Sequence, residues 1–240
     1  IPVVIFSEHV SIDHELELKK LGEENNVLVM GPDCGACNLN HYALVLSSIF
    51  KDGRVGIVGA SGSGVQEVGV LLEKLGYGIS QAIGTGGRDL DDKIAASSMV
   101  RGINYLLQDP NTEIIILIGK KPSLNAEKNL LKTLQTSSKP VVCCFLGSNP
   151  ETWNKVGAWF APTLTSAAIT VHRILEGDFN PSILQKSWEN QLRNAIVKIR
   201  RNLGPNRGFL RGVFGAGTFS FQAQQVTCDL LSPIYSNNPI

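Results

Sequence analysis

The sequence lacks an excess of charge of either sign. Its 240 residues include 22 lysines and arginines against 21 aspartates and glutamates, a formal net charge of +1. This balance gives no electrostatic reason to expect nucleic acid or an anionic membrane surface as a partner. No apolar run approaches the roughly 20 residues that a membrane-spanning helix needs. The 43% of hydrophobic residues suffices for one large core or two smaller ones.

Cysteine and histidine are also scarce. Five cysteines, an odd number, argue against a disulfide scaffold and favour a reducing cytoplasm. Cys34 and Cys37 form a C-x-x-C pair with His41 nearby, but no fourth ligand at a zinc spacing is visible, so no metal site is expected. A redox pair is the alternative, and a packing or loop role is favoured over it. The four histidines are scattered and suggest no Ser-His-Asp triad.

What the sequence does contain is an alternation of apolar strands and amphipathic helices. Strands are predicted at 2–6, 27–30, 54–58, 78–84, 114–119 and 140–147, and helices after Ser11 and at 65–75, 94–107 and 125–135. Strands that are apolar throughout and separated by helices indicate a parallel sheet covered on both faces. The predicted class is therefore α/β, doubly wound, Rossmann- or flavodoxin-like, with function at the carboxyl ends of the strands.

The segment GASGSG, residues 59–64 and hereafter the first glycine loop, joins one of these strands to a helix. It lacks the lysine of a P-loop and the third glycine of a dinucleotide-binding loop. What remains is a helix N-terminus with glycine N–H groups and serine hydroxyls, a pattern typical of anion sites. We predict that Ser61, Gly62, Ser63 and Gly64 bind a phosphate-type ligand. The alternative is a tight turn that uses glycine only for close packing.

Two further strand ends carry candidate site residues. In GTGGRDL, Gly86 and Gly87 offer backbone donors, and Arg88 could clamp a carboxylate or phosphate. The alternative there is a surface turn in which Arg88 pairs with Asp91 or Asp92. Lys120 follows the buried strand IIILIG and should face the same crevice as the first glycine loop, unless it is simply a solvated loop lysine.

A second glycine-rich segment, RGVFGAGTFSFQAQ, begins at Arg211 and echoes RVGIVGASGSGVQE once one residue is skipped. The echo aligns Gly217 with Gly62 and Thr218 with Ser63. The polar stretch before it, at 180–202, is predicted to be helical. The chain opens on an apolar strand and closes shortly after this second loop, so we expect it to be part of a longer protein.

The order of VMGPDC, RVGIVGASGSGVQEV, QAIGTGGRDL and NTEIIILIG resembles the α subunit of succinyl-CoA synthetase and its acyl-CoA synthetase superfamily, over about residues 1–175. GPDCG, SQAIGTGGRDL, a Lys-Pro after the buried strand and an RG-x-F-x-x-G-T loop are most similar to the FdrA family. The resemblance implies four segments. Residues 1–48 would end a Rossmann-like CoA-binding-type domain, 49–178 would form a flavodoxin-like CoA-ligase-type domain, 179–206 a helical linker, and 207–240 the start of a second, related ligase-type domain. In that superfamily the usual CoA-binding region would lie mostly before residue 1.

The superfamily also implies a mechanism that this chain departs from. Its ligase domain carries a phosphorylated histidine, held between helix N-termini and oriented by a glutamate just after the buried strand. The glutamate position is Lys120 here, and the segment after PVVCCFLG contains no histidine. A cation beside a helix N-terminus favours a free oxyanion, so phosphoryl relay through histidine is not expected.

The FdrA resemblance implies a subunit of oxamate carbamoyltransferase, which converts oxalurate and phosphate to oxamate and carbamoyl phosphate in allantoin catabolism. Lys120 and Arg88 would then act electrostatically on the substrate oxyanions, with phosphate or carbamoyl phosphate as the ligand. An ATP-dependent acyl-CoA synthetase using CoA and a nucleotide is one alternative. A scaffold subunit with a vestigial pocket is another. Small-molecule substrates and a homodimer or hetero-oligomer are the expected partners.

Overall fold

The computed structural model describes residues 2–178, 193–201 and 210–237 of the chain. The strands within these ranges are β1 Val3–Val4, β2 Val29–Met30, β3 Ala36–Leu39, β4 Tyr42–Val45, β5 Asp52–Gly59, β6 Ile79–Gly84, β7 Ile114–Lys120, β8 Val141–Leu146 and β9 Trp159–Phe160. The helices are α1 Ile12–Glu24, α2 Gly62–Lys74, α3 Ser97–Gln108, α4 Leu124–Leu134, α5 Pro150–Asn154, α6 Leu164–Glu176, α7 over the described residues 193–201, and α8 Gly217–Thr227, with a 3₁₀ turn at Gly87–Leu90.

A seven-stranded sheet with the order β4-β3-β6-β5-β7-β8-β9 forms the centre of the molecule. Its five strands from β6 to β9 are parallel, whereas β3 runs antiparallel to both β4 and β6. Six consecutive buried residues of β7, Ile114–Gly119, explain its central place, because a strand without polar alternation has to be covered on both faces. The predicted α/β class with a mostly parallel sheet is confirmed.

Two buried clusters lie on the two faces of this sheet. One joins α3 and α4 to the sheet through residues such as Met99, Ile103 and Leu130, and includes Trp153, which has no exposed surface. The other joins α2 and α6 through residues such as Leu72 and Val171. The helices therefore form a layer on each side of the sheet, as expected for a doubly wound fold.

A smaller parallel sheet of β1 and β2 lies at the start of the chain with α1 beside it. The hairpin of β3 and β4 follows directly and adds two strands to the large sheet, across the predicted boundary between residues 48 and 49. This hairpin was not predicted, because its turn residues Asn40 and His41 both adopt positive φ without the glycine that usually marks such a turn.

The helical linker predicted for 179–206 lies largely outside the described residues. Its described part, 193–201, is helical and exposed. The domain boundaries themselves stay predictions. None of the helices in the described ranges combines the length and the apolar character that crossing a bilayer requires.

Candidate functional site at the carboxyl edge of the sheet

The carboxyl ends of β5, β6 and β7 lie side by side. Gly59 at the end of β5 is in register with Gly84 of β6 on one side and with Ile118 of β7 on the other. The first glycine loop, the GTGG turn and Lys120 therefore meet at one edge of the sheet, where the sequence pattern predicted that they would.

The first glycine loop is a compact entry into α2. Ser61 is the N-cap residue, and its hydroxyl accepts a hydrogen bond of 3.0 Å from the Gly64 amide. The amides of Gly62 and Ser63 belong to the first helical turn, whose N–H groups have no partner within the helix. Close packing matters as well, because a Cβ atom on Gly64 would come within 2.8 Å of the Ile118 side chain. Both interpretations of this loop thus have a structural basis.

The second glycine-rich segment packs against the first. Helix α8 begins at Gly217, the residue that the sequence echo aligns with Gly62 at the start of α2. Thr218, which is 9% exposed, has its hydroxyl 2.6 Å from the Ser61 hydroxyl. Further along α8, the Gln222 side chain accepts a hydrogen bond of 2.8 Å from the Leu164 amide at the start of α6. The echo revealed the repeated motif, but nothing in the sequence indicated that its two copies touch.

The contact between Ser61 and Thr218 brings two helix N-termini together. Each N-terminus carries a partial positive charge of roughly half an elementary charge, from its aligned peptide dipoles and the N–H groups of its first turn. Two such ends repel each other unless an anion, or an acidic group, lies close to both. No acidic residue lies in the first turn of either helix. Chemically, the junction suits a ligand with several oxyanions.

Lys120 stands next to this junction. Its ammonium lies 4.9 Å from the centre of the Phe221 ring on α8, within the range of a cation–π contact. Its neighbour Lys121 is exposed and follows the last residue of β7. Helix α8 therefore helps to hold the Lys120 ammonium in the crevice.

The GTGG turn packs against the loop after β2. Gly86 has a φ of +85°, and a Cβ atom there would lie 2.0 Å from the Pro32 carbonyl oxygen. A Cβ atom on Gly87 would lie 3.2 Å from an Asp33 carboxylate oxygen. Only glycine fits the first position, since its φ is left-handed and its backbone touches another backbone.

Arg88 points toward α1. Its guanidinium forms an ion pair with Glu15 at 2.8 Å and donates a hydrogen bond of 2.6 Å to the Val10 carbonyl oxygen. It forms its salt bridge with Glu15 and not with Asp91 or Asp92, contrary to the surface-turn alternative. Its predicted role as a substrate clamp stays a prediction, and these contacts give it a structural role.

The residue after Arg88 was missed by sequence reasoning. Asp89 has no exposed surface; its carboxylate accepts hydrogen bonds from the Ser98 and Met99 amides at the start of α3, at 3.0 and 2.9 Å. It also pairs with Lys19 of α1 at 2.7 Å, and Lys19 pairs in turn with Glu15 at 3.0 Å. The Asp and Lys were visible in the sequence, but 70 residues separate them, and no local pattern connects them.

Two of the histidines lie at the opposite, amino edge of the sheet. His41 pairs with Asp52 at the start of β5, and His172 is 2.8 Å from the hydroxyl of Tyr77, a residue that precedes β6.

The segment after β8 forms α5 and β9, and there Trp153 packs on Phe145 with ring centres 4.6 Å apart. No group of three or more metal-ligating side chains occurs in the part of the chain that the structure describes.

A family profile described as a CoA binding domain matches residues 50–147. The match falls within residues 49–178, the segment that the resemblance assigned to a ligase-type domain. YahF of Escherichia coli K12 is 38% identical over 237 residues, which is 98% of this chain and 45% of that protein. The mitochondrial succinate–CoA ligase subunit alpha-2 of Trichomonas vaginalis is 29% identical over 162 residues, 65% of this chain and 51% of that subunit.

Among solved structures, the dinucleotide-forming acetyl-coenzyme A synthetase 1 of Ca. Korarchaeum cryptofilum, in complex with phosphate and ADP, has a TM-score of 0.56 at 16% identity, covering 70% of this chain and 41% of that chain. This likeness supports the fold. The chain spans about half the length of the curated relatives it matches. It carries a CoA-binding-type domain and is homologous to the α subunits of succinate–CoA ligases, whereas the finer assignment to the FdrA family stays a prediction.

Proposed function

We propose that this chain is a subunit of a CoA-linked acyl-transfer enzyme of the ligase type, and that a phosphate-type ligand binds where α2 and α8 meet. The observation that carries the proposal is the 2.6 Å contact between the Ser61 and Thr218 hydroxyls, which brings two helix N-termini to one point. Homology to succinate–CoA ligase α subunits supports the CoA-linked chemistry. The first-turn amides of Gly62 and Ser63 and the Thr218 hydroxyl would bind the oxyanions, with Lys120 as the nearby cation.

The proposed reaction proceeds without a phosphohistidine. Lys120 stands where the superfamily resemblance implies the glutamate that orients the histidine, and the segment between β8 and α6 has no histidine. Bound phosphate would itself attack the acyl carbon of an acyl-CoA, giving acyl phosphate and releasing CoA as a thiol. Positive charge around the leaving and attacking oxygens would stabilise the transition state electrostatically.

A second candidate is the carbamoyl transfer implied by the FdrA resemblance. Lys120 favours it, because a cation suits an acid such as oxalurate, which carries a carboxylate beside its carbonyl group. In that reaction a phosphate oxygen would attack the carbamoyl carbon of oxalurate, and the departing nitrogen would take a proton to give oxamate. Gly86 and Gly87 of the GTGG turn could donate backbone hydrogen bonds to the acid. Arg88 could bind the acid only if it gave up its salt bridge with Glu15.

Calorimetry on the full chain tests phosphate binding, the step that both candidate functions share. We expect inorganic phosphate to bind, and Thr218→Val, which removes the hydroxyl at nearly constant volume, to weaken binding several-fold. Thr136→Val, on an exposed turn after α4, is the matched control and should bind as the wild type does. Failure of phosphate, carbamoyl phosphate and CoA alike to bind would contradict the proposal.

Turnover separates the two candidates. With the partner subunits present, acyl-phosphate formation from acyl-CoA and phosphate would support the ligase type. Carbamoyl phosphate from oxalurate and phosphate, without CoA or nucleotide, would support carbamoyl transfer. If Lys120→Ala and Ser63→Ala both leave turnover unchanged, the chain acts as a scaffold.

A further inference from the structure

Cys34 and Cys37 form a buried dithiol beneath the carboxyl edge. Neither residue has exposed surface, and both belong to the same apolar cluster. The Cys34 thiol lies 3.8 Å from the Ala36 carbonyl oxygen. Its hydrogen-bonding interaction with Cys37 raises the pKa of Cys34, together with burial, and lowers the pKa of Cys37. Cys37 is therefore the thiol of the pair that loses its proton more readily.

The dithiol touches the strand ends that build the candidate site. A Cβ atom on Gly62, the first residue of α2, would lie 3.3 Å from the backbone of Gly35, between the two cysteines. A Cβ atom on Gly84, the last residue of β6, would lie 2.8 Å from the Cys34 sulfur. Disulfide formation shortens the distance between the two sulfurs and so shifts Cys34 or Gly35. Such a shift would alter the contact of Gly35 with Gly62 in the first glycine loop.

The other cysteines differ in their surroundings. Cys143 and Cys144 are adjacent in β8, where one belongs to each of the two buried clusters, so their side chains lie on opposite faces of the sheet. Burial raises the pKa of Cys144 to about 12, which keeps it a thiol. Cys228, after α8, is exposed. The described residues offer no third ligand that would make Cys34 and Cys37 a metal site.

The hairpin that carries Cys37 lies at one edge of the large sheet. A single register pair, Asn38 with Ala82, joins β3 to β6. The outer strand β4 is largely exposed, so local opening of this hairpin, rather than global unfolding, would be the route by which a small oxidant reaches the buried pair.

We propose that Cys34 and Cys37 form a reversible disulfide that changes the shape of the first glycine loop and so its ligand affinity. A hydroperoxide is the oxidant: the Cys37 thiolate attacks the peroxide oxygen, and the released alkoxide or hydroxide takes a proton. The sulfenic acid on Cys37 is then attacked by the Cys34 sulfur, whose proton leaves with the hydroxyl group as water. Two thiols and one hydroperoxide give one disulfide, one alcohol or water, and one water. Thiols in solution reverse the step by exchange.

The effect on ligand affinity rests on the proposed function, whereas disulfide formation does not. Intact mass spectrometry on the full chain carrying Cys228→Ser measures the disulfide alone. Hydrogen peroxide under native conditions should remove two hydrogens in mass, dithiothreitol should restore them, and the bridge should map to the peptide that contains both Cys34 and Cys37. Cys37→Ser should abolish the loss, and Cys143→Ala, the matched buried-thiol control, should keep it.

Two readouts then test the loop. Phosphate calorimetry should give affinities that differ several-fold between the oxidised and reduced chains, and hydrogen exchange over 59–64 should change on oxidation. If the native chain loses no hydrogens, or if the bridge maps elsewhere, the disulfide is refuted. Unchanged exchange in 59–64 refutes the coupling. If phosphate binds neither form, the proposed function fails, and mass and exchange still decide the inference.

Discussion

Lys120 places a positive charge at the carboxyl edge, where the superfamily resemblance implies a glutamate. Its stem ends β7, and its ammonium rests over the Phe221 ring of α8. An exposed cation–π contact contributes only about 0.5–1 kcal/mol, so an entering oxyanion can draw the ammonium away from the ring. The contact keeps the cation near the junction of α2 and α8.

Lys120→Ala should therefore weaken phosphate binding by about three- to tenfold, because it removes a charge-assisted contact from a partly solvated site. Lys121→Ala removes the same charge one position along and should bind phosphate within error of the wild type. Isothermal titration at fixed ionic strength measures both. Equal losses of phosphate affinity in the two variants would mean that only the overall positive electrostatic potential of this edge matters, and not the position of Lys120.

Lys19 is the buried cation on which the loop after β6 depends. It has 2% of its side chain exposed and contacts two carboxylates, those of Glu15 and Asp89, that have none. Lys19→Met would leave both carboxylates buried beside a methyl group, although Arg88 still pairs with Glu15. Removing one partner of a buried ion pair typically destabilises a protein by about 3–5 kcal/mol.

Urea denaturation should show that loss for Lys19→Met, whereas Lys20→Met, at an exposed position of the same helix, should change stability by about 0.5 kcal/mol or less. Asp89→Asn keeps the size of the side chain and offers a milder version if the first variant does not fold. A fully stable Lys19→Met chain would contradict the structural role assigned to this network.

At the scale of secondary-structure elements, the parallel strands and the helices between them were predictable and the hairpin was not. β7 and β8 are apolar runs without polar alternation, and α2 has apolar residues at helical spacing followed by Gly76, so their type follows from pattern alone. The hairpin of β3 and β4 has no such pattern. β9 and α5 are too short, at two and five residues, to show any periodicity.

Helix α6 begins with a capping box formed by Thr163 and Ser166. The Thr163 hydroxyl accepts a hydrogen bond from the Ser166 amide, and the Ser166 hydroxyl accepts one from the Thr163 amide. Thr163→Ala should destabilise the protein by about 1 kcal/mol. Thermal unfolding should show a midpoint lower by about 2–4 °C. Thr165→Ala, at an exposed position of the first turn of the same helix, should leave the midpoint in place; an equal drop would mean that the box contributes nothing specific.

At the scale of the whole molecule, the two edges of the sheet have different chemistry. The carboxyl edge has glycine loops and helix N-termini, whereas polar side chains line the amino edge. There Arg54 pairs with Glu113 and with Glu176 at the end of α6, and Tyr77 bonds to His172. Burial, with a further contribution from the Glu176 carboxylate, raises the pKa of Tyr77.

The raised pKa of Tyr77 gives a stability change at high pH with a definite sign. Above its ordinary pKa near 10 the folded chain holds the phenol proton more tightly than the unfolded chain does, so stability falls as pH rises through the folded pKa. Tyr77→Phe cannot ionise, and its free energy of unfolding should decline less steeply above about pH 10. Urea titrations compare the slopes from about pH 8, where tyrosine is still protonated, to about pH 11. Tyr105→Phe serves as the control, and parallel wild-type and Tyr77→Phe curves would refute the assignment.

The candidate site was predictable only in part, because some of its contacts join residues that are far apart in the sequence. The carboxyl ends of β5, β6 and β7 converge by the rule of parallel sheets, so the meeting of the first glycine loop, the GTGG turn and Lys120 followed from the strand order. The contacts of Arg88 with α1 and of Thr218 with Ser61 did not. The latter joins residues 157 positions apart through hydroxyls that any surface loop could carry, and such pairings depend on tertiary packing.

That long-range contact has a consequence for how the site responds to dilution. Because α8 belongs to the same chain as α2, its docking is a unimolecular event, and the fraction of molecules with a completed junction is independent of protein concentration. A half-site shared between two subunits would instead fall apart as the sample is diluted below the dissociation constant of the assembly. Because the two helices are covalently connected, the affinity of this junction for an anion should not depend on protein concentration.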